Sequence, residues 1–138
     1  MDTKLNPYLN FRGDAREAME FYHSVFGGKL TLSTFADYHA SEDPAVMEKI
    51  MHGELVADGG MTIMGSDTPD TMDVTVGNNF SVSLNGDDEA ELRRYWDGLS
   101  AGATITMPLE KAQWGDTFGM CTDRFGVSWL VNITASQP

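Results

Sequence analysis

The sequence predicts an α+β fold built from two β-α-β-β-β modules, and three observations lead there. The first is an internal repeat. Gly13-Asp14 opens a helix-like run reaching Tyr22, Phe26 and a glycine pair, and Gly86-Asp87 opens another reaching Tyr95, Leu99 and Gly102. The same 73-residue offset aligns Met19 with Leu92, and Tyr8–Phe11 with Ser81–Leu84. The second is that each half holds one amphipathic helical stripe among several short alternating runs. The third is turn chemistry at matching places, Asp58-Gly59-Gly60 and Asp123-Arg124-Phe125-Gly126. Two copies of one supersecondary unit share an interior, and that interior is the natural place for a ligand.

The elements follow in order. Leu5–Phe11 alternates as a strand, with Leu9 and Phe11 on one face and Tyr8 and Asn10 on the other. Asp14-Ala15-Arg16-Glu17 has the form of a capping box. Ala15, Ala18, Met19, Tyr22, Val25 and Phe26 then fall at helical spacing, and Gly27-Gly28 stops the helix. Lys29–Ala36 reads as a strand and Asp37–Val46, with Pro44, as a loop or lid. Lys49–Ala57 alternates, with Met51 and Leu55 on one face and Ile50, His52, Glu54 and Val56 on the other. A short strand, Met61–Met64, completes the first module.

The second half repeats the order. Phe80–Leu84 is a strand, and Asp88–Glu91 offers another capping box. Leu92, Tyr95, Trp96 and Leu99 make the helical stripe. Ala103–Lys111 is a strand whose Pro108 marks an edge or a bulge. Thr117–Thr122 and Val127–Ile133 form the closing hairpin. The 138 residues are thus expected to form one domain, with modules at 5–65 and 78–134 and a connection over 66–77.

One helix per four strands covers only one face of a sheet. Leu9, Phe11, Met51, Leu55, Ile63, Phe80, Val82, Leu84, Trp129 and Val131 are expected beneath the helices. The opposite faces must curl toward each other or meet a partner chain, and they carry whatever chemistry exists.

Bulk properties narrow the function. Net charge is −12, with 21 acidic residues against 9 basic ones, which disfavours sequence-independent nucleic-acid binding and anionic membrane surfaces. Solubility is the plain meaning of this acidity, and steering of a cationic ligand the alternative. Cys121 is the one cysteine, so no internal disulfide forms, and its parity with Leu55 makes it core. No apolar run approaches membrane-spanning length, and Met-Asp-Thr-Lys-Leu-Asn lacks a signal-peptide pattern, so a cytoplasmic protein is expected.

His52 and Glu54 form the strongest polar pair, two apart on one strand and therefore on one face. They fit a general base with an orienting carboxylate, a hydrogen-bonding subsite, a partial metal site, or a solvated strand surface. Their counterparts in the second half are Phe118 and Met120, so one wall is ionisable and the other apolar. Tyr8, Asn10, Ser81, Ser83 and Asn132 share the same parity and suit hydrogen-bond recognition, or simply the exposed side of a sheet. Trp114, beside Gly115 at a strand junction, can stack on a flat ligand or pack in a core or dimer contact. No phosphate loop, serine nucleophile elbow, Cys-x-x-Cys pair or dinucleotide fingerprint is present.

Pro7-Tyr8-Leu9-Asn10-Phe11, Ala15–Ala18, Phe21-Tyr22 and Val25-Phe26-Gly27-Gly28 resemble the opening of the glyoxalase/bleomycin-resistance (vicinal oxygen chelate) superfamily. Asp123-Arg124-Phe125-Gly126-Val127-Ser128-Trp129 resembles its final turn and strand. Trp114-Gly115-Asp116 and Phe118-Gly119 resemble the PhnB-like branch, whose members are described as demethylubiquinone methyltransferase-like. The resemblance implies paired modules forming a curved mixed sheet around a cup-shaped cavity, commonly in a homodimer. It also implies metal ligands near Asn6, Asn79, Met64 and Leu130, where His, Gln or Glu would be needed. A thioether, an isobutyl group and neutral amides are poor replacements, so no metal or other cofactor is expected. No glycine motif suited to a methyl-donor nucleotide is present, and the chain is short for a second domain.

The reading is a cytoplasmic, homodimeric protein that binds a small apolar or aromatic molecule in the cup. Tyr8, Asn10, His52, Glu54, Met64, Ser81, Ser83, Trp114, Phe118, Met120 and Leu130 are its expected contacts. Two alternatives stand beside it: a metal-dependent lyase, isomerase or dioxygenase using His52 and Glu54, and an interaction protein with a vestigial pocket.

Overall fold

A computed structural model describes residues 3–69 and 72–135; residues 70 and 71 of the expected connection, with 1, 2 and 136–138, lie outside the described residues. The chain divides into two compact units, Met1–Thr75 and Val76–Pro138. The first runs β1 (Tyr8–Phe11), α1 (Ala15–Phe26), β2 (Lys29–Thr34), the one-turn helix α2 (Pro44–Met47), β3 (Ile50–Val56) and β4 (Thr62–Asp67). The second runs β5 (Val82–Gly86), α3 (Glu89–Ser100), β6 (Thr104–Lys111), β7 (Thr117–Thr122) and β8 (Ser128–Ile133). Each unit has its own four-stranded sheet, ordered β1-β4-β3-β2 and β5-β8-β7-β6. The first and last strands pair in parallel and the others antiparallel, so both sheets are mixed. Among the described residues no helix is long and apolar enough to cross a membrane.

The helix stripes bury largely as their spacing predicts, except that Val25 is only half-buried and Phe21 is buried in addition. Ala15, Ala18, Met19, Tyr22 and Phe26 are buried in the first unit, and Leu92, Tyr95, Trp96 and Leu99 in the second. Gly53 and Gly65 stand opposite each other on β3 and β4. A Cβ on either would lie within 3.4 Å of the Met19 side chain, so the missing side chains leave the hollow that Met19 fills. Trp96 sits over Gly119 of β7 in the same manner, 3.0 Å from where a Cβ would be.

The start of α1 departs from the sequence reading. Asp14 makes no side-chain cap. Asp67, the last residue of β4 and only 2% exposed, does that work from across the sheet. Its Oδ1 accepts the backbone N–H of Gly13 at 2.7 Å and of Ala15 at 3.0 Å, and its Oδ2 accepts that of Ile50 at 2.9 Å. A carboxylate so deeply buried needs such donors, and the positive end of the helix dipole favours it there. α3 uses its own residue instead: Asp88 Oδ1 accepts the Glu91 N–H at 3.1 Å. Glu91 does not reciprocate, and accepts from Tyr95 Oη at 2.6 Å.

Four other boundaries shift for identifiable reasons. β4 continues through Ser66 and Asp67, which were expected in the connection, because β1 pairs with Met64–Asp67. β5 begins at Val82, since its register with β8 runs from Val82 to Gly86; Ser81 lies outside it and Phe80 is 84% exposed rather than buried. A bulge follows Ser33, which pairs with His52 while Thr34 pairs with Ile50. Met51 is therefore displaced to the exposed side and Ile50 is buried, the reverse of simple alternation. Part of the expected 37–46 loop is ordered: Asp43 caps α2 through the Ala45 N–H, and Ala36 N donates to Met47 O. Pro108 does lie on an edge strand, and β6 is irregular on both sides of Met107.

Asp67→Ala leaves two buried N–H groups, of Ala15 and Ile50, and the part-buried N–H of Gly13 without an acceptor, and is expected to cost about 3–5 kcal/mol in urea unfolding. Asp67→Asn keeps one oxygen but turns an amino group toward a donor, and is expected to fall between. Asp14→Ala should change stability by less than about 0.5 kcal/mol.

Candidate functional site

Because α1 and α3 occupy one face of each sheet, alternation sends a defined set of side chains to the other. On β3, Gly53 and Leu55 face the helix, so His52 and Glu54 point to the helix-free side together. β4 contributes Met64 and Ser66 there, and β1 contributes Tyr8 and Asn10. The register arranges them in rows. Tyr8 pairs with Met64, Met64 with Glu54, and Glu54 with Thr31 of β2. Asn10 pairs with Ser66, and His52 with Ser33. Tyr8 Oη lies 3.4 Å from His52 Nδ1, and the two rings are tilted with centroids 6.0 Å apart. Tyr8 is 45% exposed, so the pair is open to a ligand.

The second sheet gives the equivalent rows a different chemistry. Ser83 pairs with Leu130, Leu130 with Met120, and Met120 with Met107. Asn85 pairs with Asn132, Asn132 with Phe118, and Phe118 with Glu110. Trp114 lies in the turn between β6 and β7, 64% exposed, with its ring edge-on to Phe118 at 5.6 Å. Asp116 in the same turn accepts from Asn132 Nδ2 at 3.0 Å and from the Ala135 N–H at 2.9 Å. Those two bonds, the side-chain one first, outweigh partial desolvation and hold its carboxyl below the usual carboxylate range.

The structure thus brings Tyr8, Asn10, His52, Glu54 and Met64 onto one face of the first sheet. It brings Ser83, Phe118, Met120 and Leu130 onto one face of the second, with Trp114 at its rim. Ser81 lies just before β5, and Ser83 rather than Ser81 holds the place equivalent to Tyr8, the two pairing in parallel with Leu130 and Met64 respectively. Ser66 and Asp116 were not foreseen. Ser66 was legible as the next alternation after Met64, whereas Asp116 reaches Asn132 only through the turn. Cys121 is 2% exposed, and burial, aided by the Asp123 carboxylate, pushes its thiol up to about 11. It is core, as its parity indicated. His23 Nε2 donates to Gly28 O at 3.0 Å, tying down the end of α1.

The expected metal positions do not match a glyoxalase-type donor set. Asn6 and Asn79 precede their strands, and Met64 and Leu130 offer a thioether and a hydrocarbon. His52 and Glu54 fall short of three ligands, and no group of three or more His, Cys, Asp or Glu among the described residues is placed to hold a metal ion. A nucleotide-type cofactor fares no better at the helix starts. Asp67 already occupies the N-terminus of α1, and Asp88, Glu89 and Glu91 make that of α3 acidic.

The family model described as 3-demethylubiquinone-9 3-methyltransferase matches residues 3–132. The chain belongs to this family. Protein PA1353 from Pseudomonas aeruginosa is 38% identical, with a TM-score of 0.82 over 98% of this chain and 100% of that one. The PhnB protein from Bacillus cereus is 24% identical, with a TM-score of 0.75 over 96% and 100%. A glyoxylase/bleomycin resistance protein/dioxygenase domain from Frankia sp. EAN1pec shares the fold at 14% identity, with a TM-score of 0.62 over 96% and 98%. The PhnB-like family and its glyoxalase/bleomycin-resistance α+β fold are therefore those the sequence motifs resembled.

Because two donors lower the Asp116 carboxyl from its ordinary value, the Asn132 side-chain amide signal should titrate with a midpoint below that of an ordinary aspartate. The signal is expected to move as Asp116 protonates and the bond is lost. An NMR pH titration checks this, and a midpoint at or above the usual value contradicts it.

Proposed function

We propose that this PhnB-like protein binds a small, partly apolar or aromatic molecule against the helix-free faces of its sheets, without a resident metal. The observation carrying this reading is the Tyr8–His52 contact beside Glu54, on a face where Asn10, Ser66 and Met64 stand within the same strand rows. Phenol, imidazole, carboxylate and amide groups there hydrogen-bond a ligand's polar groups, while Met64 supplies an adaptable apolar contact. The second sheet supports it with Phe118, Met120, Leu130 and Trp114, which offer mainly apolar and aromatic surface. The donor chemistry described above supports the absence of a resident metal.

His52 and Glu54 also have the form of a proton acceptor with a neighbouring carboxylate, so a proton-transfer step would fall to them. Pairing of two copies belongs to the same reading. It is supported by the exposed apolar side chains that precede each parallel edge strand, Leu5 at 99% and Phe80 at 84%.

A titration of labelled protein with phenols and aromatic amines, followed by amide shifts, tests the reading. Shifts are expected at Tyr8, His52, Glu54 and Met64. Tyr8→Phe and His52→Ala are each expected to weaken binding by roughly fivefold to tenfold. Shifts confined to the outer surfaces of α1 and α3, or unchanged affinity in both variants, would remove this face from the site.

A further inference from the structure

One row of the second sheet crosses all four strands on the helix-free side, from Glu110 through Phe118 and Asn132 to Asn85. Its centre is an aromatic ring, with Trp114 edge-on to it and a side-chain amide next to it in the row. The amide's orientation is ordinarily ambiguous, because its nitrogen and oxygen are nearly the same size. Here Asp116 decides it. An ionised carboxylate has no proton to donate, so Asn132 can meet Asp116 only through Nδ2, as the 3.0 Å bond shows. Asn132 Oδ1 must then point away from Asp116. It accepts no hydrogen bond from the described residues, so it is left as an acceptor beside Phe118. Glu110, across Phe118 in the same row, is likewise an acceptor.

We infer that Asp116 is a positioning residue that holds Asn132 as a fixed acceptor beside Phe118 and Trp114, and that this corner takes a flat aromatic molecule bearing an O–H or N–H donor. The inference rests on the reading of the helix-free faces as ligand surfaces and adds the ligand's chemistry. A ring of the same shape without a donor stacks on Phe118 and Trp114 equally well. It strips water from Asn132 Oδ1 without replacing the hydrogen bond, and so binds less tightly.

The test is a pair of titrations of the labelled full chain, one with 2-naphthol and one with 2-methoxynaphthalene. The Trp114 indole N–H and the Asn132 side-chain amide are followed by NMR. Both signals are expected to move, and 2-naphthol to bind about tenfold tighter than its methyl ether. In Asp116→Asn the new amide can donate to Asn132, so the amide is free to turn over. The preference should then fall to about twofold or less while the ether keeps its affinity. If Asp116→Asn does not fold, Asn132→Leu keeps the shape, removes the acceptor and carries the same expectation. Equal affinities in the wild type, or a preference undiminished in the variant that folds, overturn the inference and leave the reading of the faces standing. Failure of both probes to move either signal overturns the inference and, for this sheet, that reading as well.

Discussion

A buried carboxylate at the end of a strand organises the first unit. Asp67 joins the end of β4 to the N-terminus of α1 and to the first residue of β3, through one N–H on Ile50 and two around the helix start. Without those bonds the helix would begin with unsatisfied donors over a buried sheet, a costly arrangement. With them α1 is fixed in position, Met19 drops into the hollow over Gly53 and Gly65, and the same face is closed to everything else. The second unit reaches the same layering by other means. Ile133 stands at the strand position of Asp67, Asp88 caps α3 locally, and the buried carboxylate sits instead in the β7–β8 turn. There Asp123 accepts from the N–H groups of Phe125 and Val127 and from Trp129 Nε1, anchoring the turn to the core.

Each sheet therefore keeps one face for packing and leaves the other free of helix cover. The two free faces have diverged. Where the first carries His52 and Glu54, the second carries Phe118 and Met120 at the matching places of the central antiparallel pair. The repeated frame keeps its geometry while one copy carries ionisable groups and the other apolar ones at the matching places. Membership in the methyltransferase-named family leaves that difference intact, because fold and family do not assign chemistry that the side chains must supply.

Much of this was legible in the sequence because alternation and helical spacing are local properties. His52 and Glu54 had to share a face, and Ala15, Met19 and Tyr22 had to share a stripe, whatever the rest of the chain did. What escaped depended on partners distant in sequence. Nothing near Asp14 shows that Asp67 has taken over its capping role, and Ser66-Asp67-Thr68-Pro69 reads as a connection until β1 is seen pairing along it. The bulge that reverses Ile50 and Met51 is set by the register with β2. Ser81 rather than Ser83 was matched to Tyr8 because the repeat's offset, taken from the helices, does not carry over to the strands before them.

The most direct test of this account is native-state hydrogen exchange at Gly13, Ala15 and Ile50. If one carboxylate holds three elements together, these amides should be protected to a similar degree and should open together, near the free energy of unfolding the whole unit. Rapid, independent exchange of Gly13 and Ala15, at rates typical of a frayed helix start, would contradict it.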